Sequence, residues 1–259
     1  MDKMLTDHRR TILELLVEYA YLSRRDFYYL IEDTSPSQDS HERKVRRVLQ
    51  SFNGCVNRAP IIDFSRSKHF LTYQTIFWLT SRGLALAQEA GIDNGEGKAN
   101  DEHSPRTLDH EYEITKFHLP LKTLARQNGY DLYWQQRDLK KTIFPDALFA
   151  LGKGEQEFYY FLEIEKSKAG KYIDGEPQIL RKLSKYYSYY NSDLCEREWK
   201  FRKFRVIVVV QTDARRKNLL NHLRESFNHP LFWISTAQDR FSCFTPRHDE
   251  PTSLFEAGK

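Results

Sequence analysis

The segment from residue 143 to residue 166, IFPDALFALGKGEQEFYYFLEIEK, constrains the fold more than any other part of the chain. It consists of two apolar stretches on either side of a glycine-rich turn, a pattern that predicts a β-hairpin. Three carboxylates, Asp146, Glu163 and Glu165, lie within these stretches. Because carboxylates are rarely buried without a partner, the hairpin must either supply compensating groups or hold them at an edge.

The register of this hairpin decides where the carboxylates lie. We place the turn at Gly154 and Glu155. This register sets Asp146 directly opposite Glu163, with Cβ atoms roughly 5 Å apart, and Glu165 then points to the same face. Converging carboxylates repel unless a cation or proton intervenes, and an all-oxygen cluster is typical of a Mg²⁺ or Mn²⁺ site. The alternative is a rim of exposed acids with the turn one residue away, which moves Asp146 to the other face.

The rest of the carboxyl-terminal half predicts alternating helices and strands. Pro120 is expected to kink the first of these helices or to limit its start. The β-branched run within residues 204–210, FRVIVVV, predicts a buried strand. Together these patterns predict an α/β sandwich with a mixed sheet. The other predicted elements are helices at 110–128, 178–190 and 215–226 and strands at 131–136 and 231–236.

The amino-terminal half predicts a winged helix-turn-helix. Apolar residues at helical spacing predict a first helix over residues 7–22. Ser23 and Ser40 are expected to cap the second and third helices. Two strands, at 58–64 and 71–80, then form a hairpin with a basic turn, and a helix that starts within LTSRGLALAQEAG closes the domain.

Positive charge is concentrated on the third helix and on the hairpin that follows it. From residue 40 to residue 70 there are seven Lys or Arg residues and two Asp or Glu residues. A helix fits the major groove of DNA and a wing contacts the adjacent backbone, so this pattern predicts DNA binding. The alternative is a solvated basic helix in a protein-contact domain. The predicted DNA-binding residues are Arg43, Lys44, Arg46 and Arg47 on the helix and Arg66 and Lys68 at the wing tip.

A polar segment and the overall composition indicate how the chain is divided and where it acts. Residues 91–105 are rich in glycine, asparagine and acidic residues, which predicts a linker between domains at 1–90 and 106–259. No apolar run reaches the roughly 18 residues of a transmembrane helix, and the start lacks the apolar stretch of a signal peptide. The three cysteines are far apart. We therefore expect a reduced, cytoplasmic protein with no membrane partner.

Pro145–Asp146, followed by Glu163–Ile164–Glu165 at the end of the next strand, resembles the motif of the PD-(D/E)xK nuclease fold. The resemblance implies an α+β protein, with a winged helix-turn-helix followed by a restriction-endonuclease-like α/β domain with a mixed sheet. That family places a lysine where this chain has Glu165. Lys182 on the following helix is the first candidate for the missing positive charge, and Lys168 is the second.

The order of motifs along the chain resembles the replication-relaxation family, and within it the MobC-type conjugative relaxases. In order, the motifs are the winged helix, the linker, a helix opening with His110, the PDA and FLEIE strands, and a helix carrying Lys182 and Tyr186. The resemblance implies a plasmid-mobilisation relaxase, a Mg²⁺- or Mn²⁺-dependent endonuclease that nicks one strand at an origin of transfer. It implies double- and single-stranded DNA, and accessory mobilisation or coupling proteins, as partners. The implied catalytic residues are Asp146, Glu163, Glu165, Lys182 and His110, of which the first three bind the metal.

Several of these assignments have alternatives. His110 or Glu113 could assist through water or proton transfer, but His110 is equally explained as a satisfied residue at a helix start. Lys182 could be an ordinary surface lysine. The stretch REWKFRKFR, residues 197–205, could bind single-stranded DNA by stacking and phosphate contacts, or could be a solvated loop.

Two further alternatives concern the chemistry and the function. The motif YYSYY, residues 186–190, could supply a tyrosine nucleophile, but Tyr186 and Tyr190 are predicted on the apolar face of their helix, so packing explains them. The alternative function is a non-catalytic DNA-binding regulator of replication or transcription with a nuclease-like scaffold. The absence of a lysine at position 165 favours this alternative.

Overall fold

The chain forms two compact units, residues 1–119 and residues 120–259. Each unit has its own hydrophobic core, which is the property that defines a domain. The computed structural model describes residues 6–31, 38–63, 72–92, 105–136, 141–166, 172–173 and 176–255.

The first unit combines helices with a three-stranded antiparallel sheet. Its elements are α1 (Asp7–Tyr19), β1 (Leu22–Ser23), α2 (Arg24–Leu30), α3 (Gln38–Ser51), β2 (Val56–Asp63), β3 (Thr72–Leu79) and α4 (Ser81–Glu89). Strand β3 is central, with β1 and β2 on either side. The predicted helices and the two predicted strands of the hairpin are confirmed, and β1 is an additional strand. The predicted wing tip lies outside the described residues.

Side-chain caps explain where α2 and α4 begin. The Ser23 hydroxyl accepts a hydrogen bond from the Asp26 N–H, and the Asp26 carboxylate accepts one from the Ser23 N–H, which is a capping box. The Thr80 hydroxyl accepts a hydrogen bond from the Gly83 N–H in the same way. The predicted cap of α3 is wrong, because this helix begins at Gln38 and Ser40 lies inside its first turn. No glycine or proline interrupts residues 38–40, so the helix extends upstream of the expected cap.

Helix α5 (Pro105–Gln127) does not follow its predicted limits. It begins at Pro105 rather than at His110, and proline is favourable in a first helical turn. It continues through Pro120, which costs one backbone hydrogen bond without ending the helix. The expectation that Pro120 limits the start of the helix is therefore wrong.

The second unit is a seven-stranded mixed sheet packed by helices. Its elements are β4 (Asp131–Gln135), β5 (Ala147–Lys153), β6 (Gln156–Glu165), β7 (Tyr172–Ile173), β8 (Glu176–Pro177), α6 (Gln178–Tyr190), α7 (Leu194–Trp199), β9 (Phe204–Val210), α8 (Asp213–Ser226), β10 (Phe232–Thr236), β11 (Ser242–Thr245) and β12 (His248–Ser253). The order in the main sheet is β12-β11-β10-β9-β6-β5-β4. Strands β6, β9 and β10 are parallel, and the flanking pairs are antiparallel.

The position of β9 confirms that its β-branched run marks a buried strand. Residues 206–210 are buried, and β9 lies between β6 and β10 in the parallel part of the sheet. This agrees with the rule that parallel strands are covered on both faces. Helix α7 and strands β7, β8, β11 and β12 were not predicted from the sequence. Strand β12 contains a proline and several charged or polar residues, as expected for an edge strand rather than a core strand.

Some sequence predictions are only partly covered by the structure. In the part of the chain that the structure describes, no helix combines the length and the apolar character needed to cross a bilayer. Nearly all of the predicted linker, residues 93–104, lies outside the described residues. The domain limits at 1–90 and 106–259 therefore stay predictions. Cys55, Cys195 and Cys243 are buried and carry free thiols.

We predict that Gly83→Ala destabilises the first unit by about 1–3 kcal/mol. A Cβ atom at position 83 would lie 2.0 Å from the Cys55 carbonyl oxygen. That oxygen already accepts a hydrogen bond from the Thr80 N–H (3.0 Å), so it cannot move away freely. Urea unfolding measures the change, with Ala85→Ser at an exposed position of the same helix as the control. A Gly83→Ala protein as stable as the wild type would contradict the close approach.

Candidate functional site

The hairpin of β5 and β6 has the predicted register. Residues 147–153 pair with residues 156–162 in antiparallel fashion around a turn at 154–155. Continuing this pairing by one residue sets Asp146 opposite Glu163. The alternative register, with the turn one residue away, is excluded.

Asp146 lies in a bend just before β5 and is held against β6 by two hydrogen bonds. Its N–H donates to the Leu162 carbonyl oxygen (3.0 Å). Its Oδ2 atom accepts a hydrogen bond from the Ile164 N–H (2.6 Å). Asp146 is therefore bound to the backbone on both sides of Glu163, through its own N–H at Leu162 and through its carboxylate at Ile164.

Glu163 is buried, with 3% of its surface exposed, and helix α6 supplies a donor to each of its carboxylate oxygens. Lys182 Nζ forms an ion pair with Oε2. The Tyr186 hydroxyl donates a hydrogen bond to Oε1 (2.6 Å). Lys182 and Tyr186 are four residues apart, so both lie on the same face of the helix. Lys182 is thus a partner of the buried carboxylate rather than an ordinary surface lysine.

The electrostatics of this cluster favour additional positive charge. Burial and the negative charge of Asp146 raise the pKa of Glu163 to about 8, although Lys182 and Tyr186 act in the opposite direction. Burial lowers the pKa of Lys182, but Glu163 and Asp146 outweigh it, so the pKa of the ammonium is raised overall. The repulsion between two carboxylates is the kind that a proton or a bound cation relieves.

Glu165 lies two residues beyond Glu163, and its charge adds to those of Glu163 and Asp146 in raising the pKa of Lys182. Glu165 is half-buried at the end of β6, opposite Val210 of β9. Within the described ranges, no three His, Cys, Asp or Glu side chains are arranged so that they could hold a metal ion. Asp146 and Glu163 are therefore the pair that the structure supports, and Glu165 as a ligand stays a prediction. Lys168 lies outside the described residues.

His110 and Glu113 lie on the part of α5 that belongs to the first compact unit. Glu113 is buried, and its carboxylate accepts a hydrogen bond from Lys116 Nζ (2.9 Å). This local ion pair explains why an acid is tolerated there. The carboxylate pair belongs to the second unit, and catalysis by His110 stays a prediction.

The tyrosines of α6 do more than pack. Tyr186 and Tyr189 are buried in the core of the second unit, and Tyr190 is partly buried against it. The prediction that packing explains Tyr186 omitted its hydroxyl, which binds Glu163. Burial raises the pKa of Tyr186 well above its ordinary value, and this disfavours its ionisation as a nucleophile. The spacing of Lys182 and Tyr186 was visible in the sequence, but their shared partner was not.

The aromatic residues of segment 197–205 do not form a stacking surface. Phe201 and Phe204 are buried, and Phe201 stacks on Tyr159 with ring centroids 3.9 Å apart. Trp199 is partly buried against the same core. Because the rings of Phe201 and Phe204 are covered, these two residues do not stack on DNA bases, and phosphate contacts by the segment stay a prediction.

The predicted basic surface is present on α3. Arg43, Arg46 and Arg47 are exposed, and Lys44 is half-buried. Their helix faces inward through buried apolar residues, so its basic side is turned to solvent. Arg66 and Lys68 lie outside the described residues.

Two arginines outside the predicted DNA-binding set, Arg24 and Arg58, extend this basic surface. A cleft of about 450 Å³ in the first unit is lined by Arg24 at the start of α2, Arg46 of α3 and Arg58 of β2. The three residues come from separate elements, and only Arg46 is one of the predicted DNA-binding residues. The cleft also contains amide side chains, from Gln50, Asn53 and Asn57.

We predict that, without metal, Glu163 makes the protein less stable as the pH rises from about 5 to about 8. Its pKa is raised to about 8 in the folded chain, so folding favours the protonated form. This contribution is fully present below pH about 4.5 and is lost as the pH rises through the folded pKa. Relative to Glu163→Gln, the wild type should lose on the order of 4 kcal/mol of unfolding free energy over this range.

Urea unfolding at several pH values, in a buffer with chelator, checks this prediction. Glu155→Gln, at an exposed position in the turn of the same hairpin, is the control and should keep the wild-type pH dependence. Parallel stability curves for the wild type and Glu163→Gln would show that Glu163 is already ionised at neutral pH.

Comparison with known proteins gives one family. The model of the replication-relaxation family matches residues 13–203, which is more than half of the chain. The match spans α3 and its basic residues, the Asp146–Glu163 pair, and Lys182 and Tyr186 on α6. Searches of curated proteins and of solved structures gave no significant match. The chain therefore belongs to the replication-relaxation family.

Proposed function

We propose that this member of the replication-relaxation family is a plasmid-mobilisation relaxase of the MobC type, which nicks DNA at an origin of transfer. Membership of the family indicates a role in replication or mobilisation. The proposal of a relaxase rests on the pairing of Asp146 with the buried Glu163. Lys182 and Tyr186 both bind Glu163. A buried acid placed against a second acid serves chemistry better than it serves stability.

The donor set fits a hard divalent cation. Asp146 and Glu163 provide oxygen atoms, which suit Mg²⁺ or Mn²⁺ better than zinc. The raised pKa of Glu163, to which Asp146 contributes, indicates that the pair favours a compensating positive charge. When bound, such a cation supplies an activated water and neutralises charge on a phosphate. Glu165, at the end of the same strand, remains the proposed additional ligand.

Residues of α6 would complete the reaction site. Lys182 carries a positive charge next to the carboxylate pair, where it would stabilise the negative charge that develops on a phosphate during cleavage. Tyr186 orients Glu163 through its hydroxyl. Water is the proposed nucleophile, because the buried Tyr186 is disfavoured as a tyrosinate. His110 is a proposed assisting residue.

The first unit would supply most of the affinity for DNA. Its elements follow one another in the order of a winged helix, and α3 presents Arg43, Arg46 and Arg47 to solvent. Arg24 and Arg58 add positive charge from neighbouring elements. Such a surface binds phosphates by releasing counterions, which makes the affinity depend on salt.

A non-catalytic DNA-binding regulator is the second candidate function. Lys182 already forms an ion pair with Glu163, and among the residues described no group of three metal-ligand side chains is found. In this case the second unit would be a scaffold. A wild-type protein that binds DNA but does not nick it would support the regulator over the relaxase.

We predict that the protein nicks a supercoiled plasmid carrying the DNA that flanks its own gene, and only with Mg²⁺ or Mn²⁺. Asp146→Asn and Glu163→Gln should each lower Mn²⁺ affinity, measured by calorimetry, by more than about a hundredfold, because each removes a ligand charge. Both should abolish nicking, measured by agarose electrophoresis. The nicked product should migrate free of protein after detergent treatment, because water attacks the phosphate.

The control for this experiment is Glu155→Gln, which keeps the cluster intact. Wild-type nicking by Asp146→Asn or Glu163→Gln would refute the assignment of the site. A nicked product that keeps bound protein would show that the nucleophile is a protein side chain and not water. DNA binding without any nicking or Mn²⁺ binding would favour the regulator.

We predict that replacing Arg43 and Arg47 together by Gln weakens DNA binding and reduces the slope of log affinity against log salt by about 2. Both residues are exposed on α3, and each would neutralise one phosphate. Fluorescence anisotropy at several salt concentrations measures the slope. The matched control is Lys122→Gln with Arg126→Gln, two exposed residues with the same spacing on α5. Equal slopes for the Arg43/Arg47 variant and the wild type would show that these two arginines do not contact phosphate.

A further inference from the structure

The short segment that leads into Asp146 is held by helix α7, and the proposed mechanism does not use this contact. Residues 141–146 precede β5 and end at Asp146. Lys141 Nζ lies 5.6 Å from the centre of the Trp199 ring on α7. Thr142 is bound by Glu198 of the same helix. Both contacts lie at the beginning of the segment.

Glu198 is the centre of this attachment. Its Oε1 accepts a hydrogen bond from the Thr142 hydroxyl (2.6 Å), and its Oε2 accepts one from the Thr142 N–H (3.3 Å). The Tyr189 hydroxyl of α6 also donates to Oε2 (2.6 Å). Burial raises the pKa of Glu198, but these hydrogen bonds outweigh it and lower the pKa overall. An ionised Glu198 therefore joins α6, α7 and the segment before Asp146.

The connection from Thr142 to Asp146 is short and restrained. Ile143 is buried in the core of the second unit, and Pro145 is buried as well. Proline fixes its own φ angle and restricts the residue before it, so few conformations remain in between. A displacement at Thr142 would therefore be transmitted to Asp146.

At the other end of the segment, the position of Asp146 is reported by two hydrogen bonds to β6. The Asp146 N–H donates to Leu162, and the Ile164 N–H donates to the Asp146 carboxylate. These contacts form only when Asp146 lies against β6. Their opening can be followed at the two amide groups, independently of any metal or DNA.

We propose that Glu198 is a positioning residue, which binds Thr142 and thereby holds the Asp146 carboxylate in place against β6. The consequence for catalysis rests on the proposed nicking function, whereas the positioning of Asp146 does not. Helix α6 would then support both members of the carboxylate pair. Tyr186 binds Glu163 directly, and Tyr189 acts on Asp146 through Glu198.

Amide hydrogen exchange of the full-length protein tests this proposal. In Glu198→Ala, exchange at Asp146 and Ile164 should become about tenfold faster, the effect of losing hydrogen bonds to a charged group. Thr142→Val removes only the hydroxyl donor and should give a smaller acceleration at the same two amides. The amide of Val208, fully buried in β9, reports unfolding of the whole sheet and should not change.

The matched control is Glu196→Ala, which removes an exposed carboxylate from the same helix. It should leave all three amides at the wild-type rate. Unchanged exchange at Asp146 and Ile164 in Glu198→Ala would overturn the proposal. Equal acceleration at Asp146, Ile164 and Val208 would overturn it too, because Glu198 would then only stabilise the fold. Should Glu198→Ala fail to fold, the same comparison in Thr142→Val decides between these outcomes.

Nicking assays separate this proposal from the proposed function. In an active protein, Glu198→Ala should lower kcat and Mn²⁺ affinity by about tenfold, with the affinity for DNA unchanged. Glu196→Ala should leave all three quantities unchanged. A wild-type protein that neither nicks nor binds Mn²⁺ would refute the proposed function, while the exchange rates would still show whether Glu198 positions Asp146.

Discussion

The candidate site depends on one buried acid, Glu163, within a seven-stranded sheet. Burial of a carboxylate is costly, and here a second carboxylate, Asp146, adds to the cost. The fold compensates with one ammonium and one hydroxyl, both from helix α6. This compensation is incomplete, because the pKa of Glu163 remains raised. A site that tolerates such an imbalance is suited to binding positive charge.

Helix α6 combines packing with polar support. Its buried face contributes to the core of the second unit. The hydroxyls of Tyr186 and Tyr189 donate hydrogen bonds to the carboxylates of Glu163 and Glu198. The rings stabilise the helix on the sheet, and the hydroxyls then have fixed positions. The same tyrosines that resemble nucleophiles in sequence therefore act as hydrogen-bond donors. Replacing a ring with a smaller side chain would disturb both the core and the acids.

The arginines of α3 and the Asp146–Glu163 pair are local clusters of opposite charge, which would suit a division of labour on DNA. The exposed arginines of α3 attract phosphate, whereas the Asp146–Glu163 pair would repel it in the absence of a cation. Under the proposed function, the first unit would supply the DNA affinity and the second unit the chemistry. Family membership agrees with a role in replication or mobilisation. The arginines of the cleft, Arg24 and Arg58, show that the basic surface extends beyond α3.

Local patterns in the sequence determined most of the longer helices and strands and one register. The turn at 154–155 and the alternation of β5 and β6 were enough to pair Asp146 with Glu163, because register follows from turn position. The edge strand β12 and the start of α3 were not predictable, since neither has a strong local signal. Only the tertiary structure showed that Lys182 and Tyr186 bind Glu163 and that Glu198 binds Thr142. These contacts join residues 19 to 56 positions apart, and packing of helices on the sheet brings them together.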